Sequence, residues 1–200
     1  MFRDIESILI DTGRIEQRVR ELGSQVAADL AADLGGDGSE ASHGQLVIIP
    51  IMTGAMVFTA DLIRQLPLKL SLEVVGVSSY PGKSMESKGA SIRSELPKGI
   101  AGKHVLVIDD ILDSGQTLEV VTGLIREQRP ASVRSCVLLR KPGKAKVGVD
   151  ATYVGFDIPD EFVVGYGLDF DGYYRNLPQI ATLKPEVATN PSGVHEGNNA

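Results

Sequence analysis

Amphipathic segments alternate with short apolar runs along most of the chain. Residues 14–34 place apolar side chains at steps of three and four, which predicts a helix with one apolar face, and residues 54–66 and 117–129 repeat this spacing. Runs typical of buried strands cover residues 46–50, 70–80, 104–110, 132–140, 151–159 and 161–169. Strands that are apolar on both faces and separated by helices predict a doubly wound α/β fold, with a mainly parallel central sheet and helices on both faces.

Three segments interrupt this pattern. Residues 35–44 are rich in Gly, Ser and Asp, which predicts a loop, and residues 81–99 show neither helical nor strand periodicity. Residues 185–200 are rich in Pro, Gly and Asn, so we expect a disordered tail. The 200-residue chain is therefore expected to form a single domain over residues 1–184, followed by that tail.

Composition excludes several classes of protein. The net charge of −6 argues against binding to nucleic acid or to a membrane surface, because phosphate groups would repel the chain. Cys136 is the only cysteine, so no disulfide can form within the chain. No apolar run approaches the roughly 20 residues of a membrane span, and the first 17 residues do not resemble a signal peptide. We therefore expect a cytoplasmic protein.

The end of the strand over residues 104–110 carries an unusual group of acids. In "VLVIDDILDSGQTL" (105–118), Asp109 and Asp110 end the apolar run and Asp113 follows three residues later. Neighbouring strand residues point to opposite faces, so the two adjacent acids do not share one exposed surface. A carboxylate at the end of a buried strand needs a partner, and hydroxyl groups, cations and Mg²⁺ are suitable partners.

The hydroxyl-rich turn that follows suits an anion. Residues 113–117, "DSGQT", lead into the helix predicted from Thr117, and the free amides at a helix start attract negative charge. Ser114 and Thr117 add hydroxyl donors. Acids for a diol followed by amides for a phosphate indicate a cradle for ribose 5-phosphate. A simpler interpretation, in which Asp113 or Ser114 only caps the helix, leaves two acids unexplained.

This stretch resembles the phosphoribosyl-diphosphate motif of the type I phosphoribosyltransferases, in which two acids, two apolar residues and an acid–Ser/Thr–Gly–x–Thr turn follow apolar residues. The resemblance implies that Asp109 and Asp110 hold the ribose hydroxyls, directly or through Mg²⁺, and that Asp113 is the general base. It also implies a small hood beside the central sheet. The segment implied to bind phosphoribosyl diphosphate comprises Asp109, Asp110, Ile111, Leu112, Ser114, Gly115, Gln116 and Thr117.

A second stretch narrows the resemblance to the hypoxanthine-guanine branch. "VGFDIPDEFVVGYGLD" (154–169) follows a lysine and precedes "YYRNLP" (173–178), as in that branch. Lys141 offers a donor to the exocyclic oxygen of a 6-oxopurine, and Phe162 offers a stacking face. The resemblance implies that the backbone from Glu161 to Val163 reads the base edge. It further implies that Asp169 binds a second Mg²⁺ and that Arg175 holds pyrophosphate.

Two further segments match the family in position. "PIMTGAMVFTADL" (50–62) resembles the pyrophosphate loop, and Gly54 suits a close approach of the backbone to phosphate. Thr53 is a departure, because the family usually has a basic residue before that glycine. Residues 79–99 match the flexible lid, beginning at Ser79 and Tyr80. Lid closure would exclude water from the reaction.

The resemblance implies a purine-salvage transferase. Such an enzyme moves 5-phosphoribosyl from phosphoribosyl diphosphate to N9 of hypoxanthine or guanine, with Mg²⁺, and family members assemble as homo-dimers or homo-tetramers. Lys141 disfavours adenine as the base, whereas a preference for xanthine stays open. A regulatory RNA-binding protein of the same fold, without catalysis, is a further alternative, although the net charge of −6 leaves little surplus for a basic RNA-binding face.

Overall fold

The computed structural model describes residues 2–34, 45–78, 91–92, 97–146 and 148–189. Its helices are α1 (Thr12–Asp33), α2 (Met56–Ile63), α3 (Gln116–Glu127) and α4 (Pro185–Thr189). Its strands are β1 (Ile5–Ile10), β2 (Leu46–Met52), β3 (Leu70–Leu72), β4 (Val75–Ser78), β5 (Ser91–Ile92), β6 (His104–Leu112), β7 (Ser132–Arg140), β8 (Tyr153–Asp157), β9 (Val163–Val164) and β10 (Ile180–Leu183).

The main sheet confirms the predicted doubly wound α/β fold. Its strand order is β5-β4-β2-β6-β7-β8, and β3 also pairs with β2. All these pairings are parallel except that of β4 with β5. Apolar residues of α1 and α2 pack with one set of sheet residues, and those of α3 pack with another. The alternation of side chains along each strand explains why both faces of the sheet are apolar and covered.

The chain reverses its direction of travel across the sheet between β2 and β6. From β2 it moves outward to β3 and β4, and it then crosses back to β6 on the opposite side of β2 before continuing to β7 and β8. Ligands of open α/β sheets bind at the carboxyl ends of the strands beside such a switch point. The segments that begin at Thr53 and at Asp113 follow these two strands, so the topology places them side by side.

A second, antiparallel sheet in the order β1-β10-β9 supplies the small hood. Strand β1 pairs with β10 through Ile5 and Leu183, so the two ends of the described domain meet here. A separate apolar cluster lies beside it and includes Val164, Tyr174 and Leu177. The sequence pattern did not predict β1 or β10, because short strands that pair across the whole length of the chain leave only a weak local signal.

Three predicted strands are shorter in the structure, and the one over residues 151–159 forms only β8 (Tyr153–Asp157). The strand predicted over residues 70–80 is interrupted between β3 and β4, and both pieces pair with β2. The run over 161–169 forms a strand only in β9, because positive φ angles at Gly165, Tyr166 and Gly167 turn the chain. A Cβ atom on Gly165 would lie 2.0 Å from the carbonyl oxygen of Gln179, so this turn requires glycine.

The helix ends also differ slightly from the predictions. Helix α1 begins at Thr12, because the Asp11 side chain accepts a hydrogen bond from the amide of Arg14 and caps the helix. The segment predicted to be a disordered tail begins with α4. Val187 of this helix packs against the apolar cluster beside the hood that includes Val164, Tyr174 and Leu177. Residues 190–200 lie outside the described residues. Across the described ranges, no helix combines the length and apolar character needed to cross a membrane.

Replacing Gly123 by Ala is expected to stabilise the protein by about 0.5–1 kcal/mol. Gly123 lies inside α3, and a Cβ atom there meets no atom within 4 Å. Alanine would therefore gain helix propensity without a clash. The midpoint of urea unfolding should rise with an unchanged slope, whereas a lower midpoint would mean that α3 does not tolerate a side chain at this position.

Candidate active site

Two neighbouring carboxyl groups lie towards the carboxyl end of β6, which continues two residues beyond its predicted end. Asp109 is buried, and its Oδ1 accepts a hydrogen bond from the amide of Asp110 at 3.0 Å. Burial raises the pKa of Asp109 well above its usual range, and the charge of Asp110 raises it further. Burial raises the pKa of Asp110 as well. Two such carboxyls resist double ionisation, so hydroxyl donors or a cation would stabilise the pair.

The loop after β2 packs directly against Asp110. A Cβ atom on Gly54 would lie 1.7 Å from Oδ2 of Asp110, which leaves no room for a side chain. A Cβ atom on Gly167 would lie 2.2 Å from the carbonyl oxygen of Gly54, so a side chain does not fit there either. Glycines therefore allow three backbone segments to converge at the carboxyl end of the sheet.

The predicted phosphate turn leads into α3. Gly115 occupies the cap position with a φ of 78° and has no side chain with which to cap the helix. The hydroxyl of Ser114 accepts a hydrogen bond from the amide of Gln116 at 3.4 Å, and Thr117 lies in the first helical turn. A Cβ atom on Gly115 would meet Val149 at 2.7 Å, so the connection from β7 to β8 covers this turn. The arrangement leaves backbone donors at a helix start, which suits an anion.

An open cleft of about 200 Å³ lies between the end of β6 and the hood. Its lining combines four charged side chains with four apolar ones: Asp110, Asp113, Lys141 and Asp169, and Ile111, Phe162, Val163 and Leu168. Seven of these eight residues were predicted from the sequence as site residues, and Leu168 was not. The lining gives the cleft apolar walls with a few convergent polar groups, as expected for a small-molecule site.

Lys141 is a buried lysine with two acidic partners. Its side chain is 9% exposed, and its Nζ lies 3.4 Å from Oδ2 of Asp113 and 3.3 Å from Oδ1 of Asp160. Lys144 contacts the same two acids, with its Nζ 3.3 Å from Oδ1 of Asp113 and 2.7 Å from Oδ1 of Asp160. These residues form a four-membered ion cluster (Asp113, Lys141, Lys144 and Asp160). Sequence reasoning missed Lys144 and Asp160, because exposed charges after a strand carry no distinctive signal.

The ring of Phe162 forms the outer wall of the cleft. It is 55% exposed, and Phe170 meets it in a T-shaped contact with 5.6 Å between the ring centroids. An edge-on neighbour leaves a face of Phe162 available for stacking with a planar ligand. Val163 lines the cleft beside it, whereas Glu161 is exposed and is not among the lining residues.

Asp169 and Arg175 are already paired with each other. Their Oδ1 and Nη2 atoms lie 2.6 Å apart, and Nη1 of Arg175 donates to the carbonyl of Gly167. The amide of Gly172 donates to the second oxygen of Asp169. Asp169 lines the cleft, and the positive charge of Arg175 lowers the pKa of Asp110 against the effect of burial. Asp169 thus lines the cleft, and Arg175 is held beside it by their ion pair.

The remaining predicted residues lie around the cleft rather than in it. The Leu112 side chain is buried in the core, and its carbonyl accepts a hydrogen bond from the amide of Lys141. Thr53 is exposed in the β2 loop, where the Met52–Thr53 peptide is cis and the Thr53 carbonyl accepts from the amide of Met56. Ser79 and Tyr80 lie outside the described residues, as does most of the predicted lid.

Comparison with known proteins identifies the family. The sequence model of the family described as "Phosphoribosyl transferase domain" matches residues 14–171, which include β2, β6, the turn into α3 and all eight residues that line the cleft. The chain belongs to the phosphoribosyl transferase domain family. The matched region contains all the predicted site residues except Arg175, which follows its end.

Relatives of this phosphoribosyl transferase domain cover nearly the whole chain. The hypoxanthine-guanine phosphoribosyltransferase of Mycobacterium avium is 41% identical over 187 residues, which are 92% of this chain and 88% of that protein. The protein of the same name from Staphylococcus aureus strain Mu50 is 39% identical over 190 residues, 95% of this chain and 100% of that protein. A solved hypoxanthine phosphoribosyl transferase of Trypanosoma cruzi superposes with a TM-score of 0.85 at 34% identity, covering 96% of this chain and 98% of that chain.

Proposed function

We propose that this chain is a purine-salvage enzyme that transfers 5-phosphoribosyl from phosphoribosyl diphosphate to N9 of hypoxanthine or guanine, releasing pyrophosphate. The observation that carries the proposal is the cleft in which Lys141, Phe162 and Asp113 meet beside the phosphate turn. The residues of the cleft suit a 6-oxopurine, and the neighbouring turn into α3 suits the 5-phosphate of a ribose. Relatives about 40% identical carry the corresponding name.

The purine would lie between the buried lysine and the aromatic wall. Nζ of Lys141 donates a hydrogen bond to the 6-oxo group, and its long contacts to two acids leave donor capacity for a ligand. The exposed ring of Phe162 stacks on the base, and the backbone at Val163 reads its other edge. Adenine is disfavoured, because its 6-amino group would place a donor against the ammonium of Lys141.

The ribose 5-phosphate would lie along β6 and the start of α3. Asp109 and Asp110 accept hydrogen bonds from the ribose hydroxyls, which would supply the donors that these two carboxyls need. The amides and hydroxyls from Ser114 to Thr117 hold the 5-phosphate at the helix start. Arg175, which is paired with the cleft residue Asp169, offers a guanidinium to pyrophosphate.

The acids of the site also fit Mg²⁺. This ion uses one or two carboxylates together with substrate phosphates and water rather than a cage built only from protein. Among the described residues no three metal-binding side chains cluster, so substrate oxygens and water would have to supply the remaining ligands. Asp109 and Asp110 would hold one ion and Asp169 a second. When bound, the ion supplies positive charge that stabilises the oxygens of the leaving pyrophosphate.

Asp113 is positioned to act as the general base. The bond from C1 of the ribose to the pyrophosphate oxygen breaks, and its electron pair leaves with pyrophosphate. N9 of the purine then bonds to C1, and a carboxylate oxygen of Asp113 takes the proton released from the N7 side of the base. The ion pair with Lys141 holds Asp113 beside the cleft where the base would lie.

The direct test is an assay of nucleotide formation. The protein is incubated with phosphoribosyl diphosphate, Mg²⁺ and each of hypoxanthine, guanine, xanthine and adenine, and absorbance is followed. We expect turnover of hypoxanthine and guanine and none of adenine. Faster turnover of xanthine would indicate a xanthine-preferring enzyme. Turnover of none of the four bases would refute the proposal, and RNA binding would then be measured.

Replacing Lys141 by Met is expected to raise the KM for hypoxanthine by about 10–100-fold while the KM for phosphoribosyl diphosphate stays within about twofold. Removing a charged hydrogen-bond donor to the substrate costs about 1.5–3 kcal/mol in binding. Steady-state kinetics with each substrate varied in turn would measure both constants. Equal increases in the two KM values would contradict a role confined to the base.

The family resemblance also supports an assembly of identical subunits in the cytoplasm. The structure of the Trypanosoma cruzi relative comes from work on the oligomeric state of that protein. We propose a homo-dimer or homo-tetramer for this chain. Light scattering of the purified protein would test this, and a monomeric mass across the working concentration range would contradict it.

A further inference from the structure

The ion cluster binds both oxygens of the proposed general base. Lys141 contacts Oδ2 of Asp113, and Lys144 contacts Oδ1. A carboxylate held at each oxygen by a different cation is restricted in rotation about its χ2 angle. The two lysines are themselves joined through Oδ1 of Asp160, so the four charges form a closed chain of alternating sign with no net charge.

The backbone supports this arrangement. The amide of Lys141 donates to the carbonyl of Leu112, one residue before Asp113, and the amide of Lys144 donates to the carbonyl of Lys141. These bonds join the end of β6 to the turn that carries both lysines. Asp160 approaches from the segment between β8 and β9. Three separate segments therefore meet at the cluster.

The two acids of the cluster differ in their surroundings. Asp113 lines the cleft, whereas Asp160 lies outside it with a side chain that is 61% exposed. In the proposed reaction Asp113 takes a proton and loses its negative charge. Lys141 is buried and would then keep only one anionic partner, which is Asp160. The hydrogen bond to Lys144 lowers the pKa of Asp160, which favours its ionised form.

We propose that Lys144 and Asp160 are positioning residues for phosphoribosyl transfer: Lys144 orients the carboxylate of Asp113, and Asp160 is the permanent counter-ion that keeps Lys141 directed at the purine. This inference rests on the proposed function. Neither residue lines the cleft. Each acts through a neighbour that does.

The test uses steady-state kinetics of Lys144→Met, Asp160→Asn and the double variant. Lys144→Met should lower kcat by about 10–100-fold, because a small misplacement of a reacting group has effects of this size. Asp160→Asn should raise the KM for hypoxanthine by at least about fivefold, and neither variant should change the KM for phosphoribosyl diphosphate by more than about twofold. Lys144→Arg, which keeps the positive charge, should recover most of the lost kcat.

The double variant distinguishes a cluster from two independent residues. The effects of mutations within one network are not additive. The fold-loss in kcat/KM for hypoxanthine of the double variant should therefore be at least about fivefold smaller than the product of the fold-losses of the two single variants. Asp150→Asn is the matched control, since Asp150 is an exposed acid that pairs with Arg140 away from the cleft. The control should keep wild-type kinetics.

Several results would overturn the inference. They are wild-type kinetics in both single variants, purely additive effects, or equal changes in both KM values. If Lys144 and Asp160 only stabilised the fold, the single variants would lower thermal stability. They would not then change kcat selectively in Lys144→Met or the KM for hypoxanthine selectively in Asp160→Asn. Because the ion pairs of Lys144 and Asp160 are partly exposed, each single variant is expected to shift Tm by no more than about 4 °C. An inactive wild-type protein would instead refute the proposed function, so the two failures are distinguishable.

Discussion

Replacing Asp113 by Asn is expected to lower kcat by about 10²–10⁴-fold, the usual contribution of a general base. Asparagine has nearly the shape of aspartate but cannot take the proton from the purine. Lys141 would retain its contact with Asp160, so the base pocket should keep its form. The KM values for both substrates should therefore change much less than kcat. Stopped-flow absorbance of nucleotide formation would measure the chemical step directly.

A binding measurement separates catalysis from folding in this variant. Calorimetric titration with the product nucleotide should give nearly the same Kd for wild type and for Asp113→Asn. The Asp150→Asn control should match wild type in both assays. If Asp113→Asn turns over at the wild-type rate, another group removes the proton and the assignment of Asp113 is wrong.

Replacing Gly54 by Ala is expected to remove most of the activity, with a fall in kcat/KM of at least about 100-fold. The added methyl group would lie 1.7 Å from Oδ2 of Asp110 and 2.5 Å from its Cγ, so the carboxyl group must move. Asp110 would then be displaced from the proposed position of the ribose hydroxyls and metal. Kinetics with phosphoribosyl diphosphate varied at fixed hypoxanthine would measure the loss.

Two controls test whether the clash with Asp110 is the cause. Gly123→Ala adds the same methyl group at a position without neighbours and should keep full activity. In a chain that already carries Asp110→Ala, the Gly54→Ala change should have little further effect, because the clashing carboxyl is gone. A further 100-fold loss in that background would show that the methyl group acts on something else.

Much of the central sheet could be predicted from local sequence. Continuous apolar runs identify strands that are buried on both faces, and β7 spans the predicted residues 132–140. Amphipathic spacing located α1, α2 and α3 to within a few residues at each end. These features were predictable because each depends on residues that are close in the chain.

The hood was harder to predict in detail. Strands β1 and β10 pair across 170 or more residues, and neither shows a strict alternation of apolar and polar residues. The apolar run over 161–169 was interpreted as one strand, although left-handed backbone at Gly165, Tyr166 and Gly167 turns it after two strand residues. An apolar composition does not distinguish a strand from a tight turn that is buried by its surroundings.

The candidate site also combines features that local sequence predicts with contacts that only the folded chain creates. By itself, the sequence determined the order of the β6 acids and the glycine turn before α3, because each involves only neighbouring residues, and the family resemblance implied the residues suited to a purine. Only the tertiary structure decided that Lys144 and Asp160 join Asp113 and Lys141 in one cluster, and that Gly54 leaves room for Asp110. Such contacts join residues from separate strands and loops, and they exist only once the folded sheet brings the carboxyl ends of its strands together.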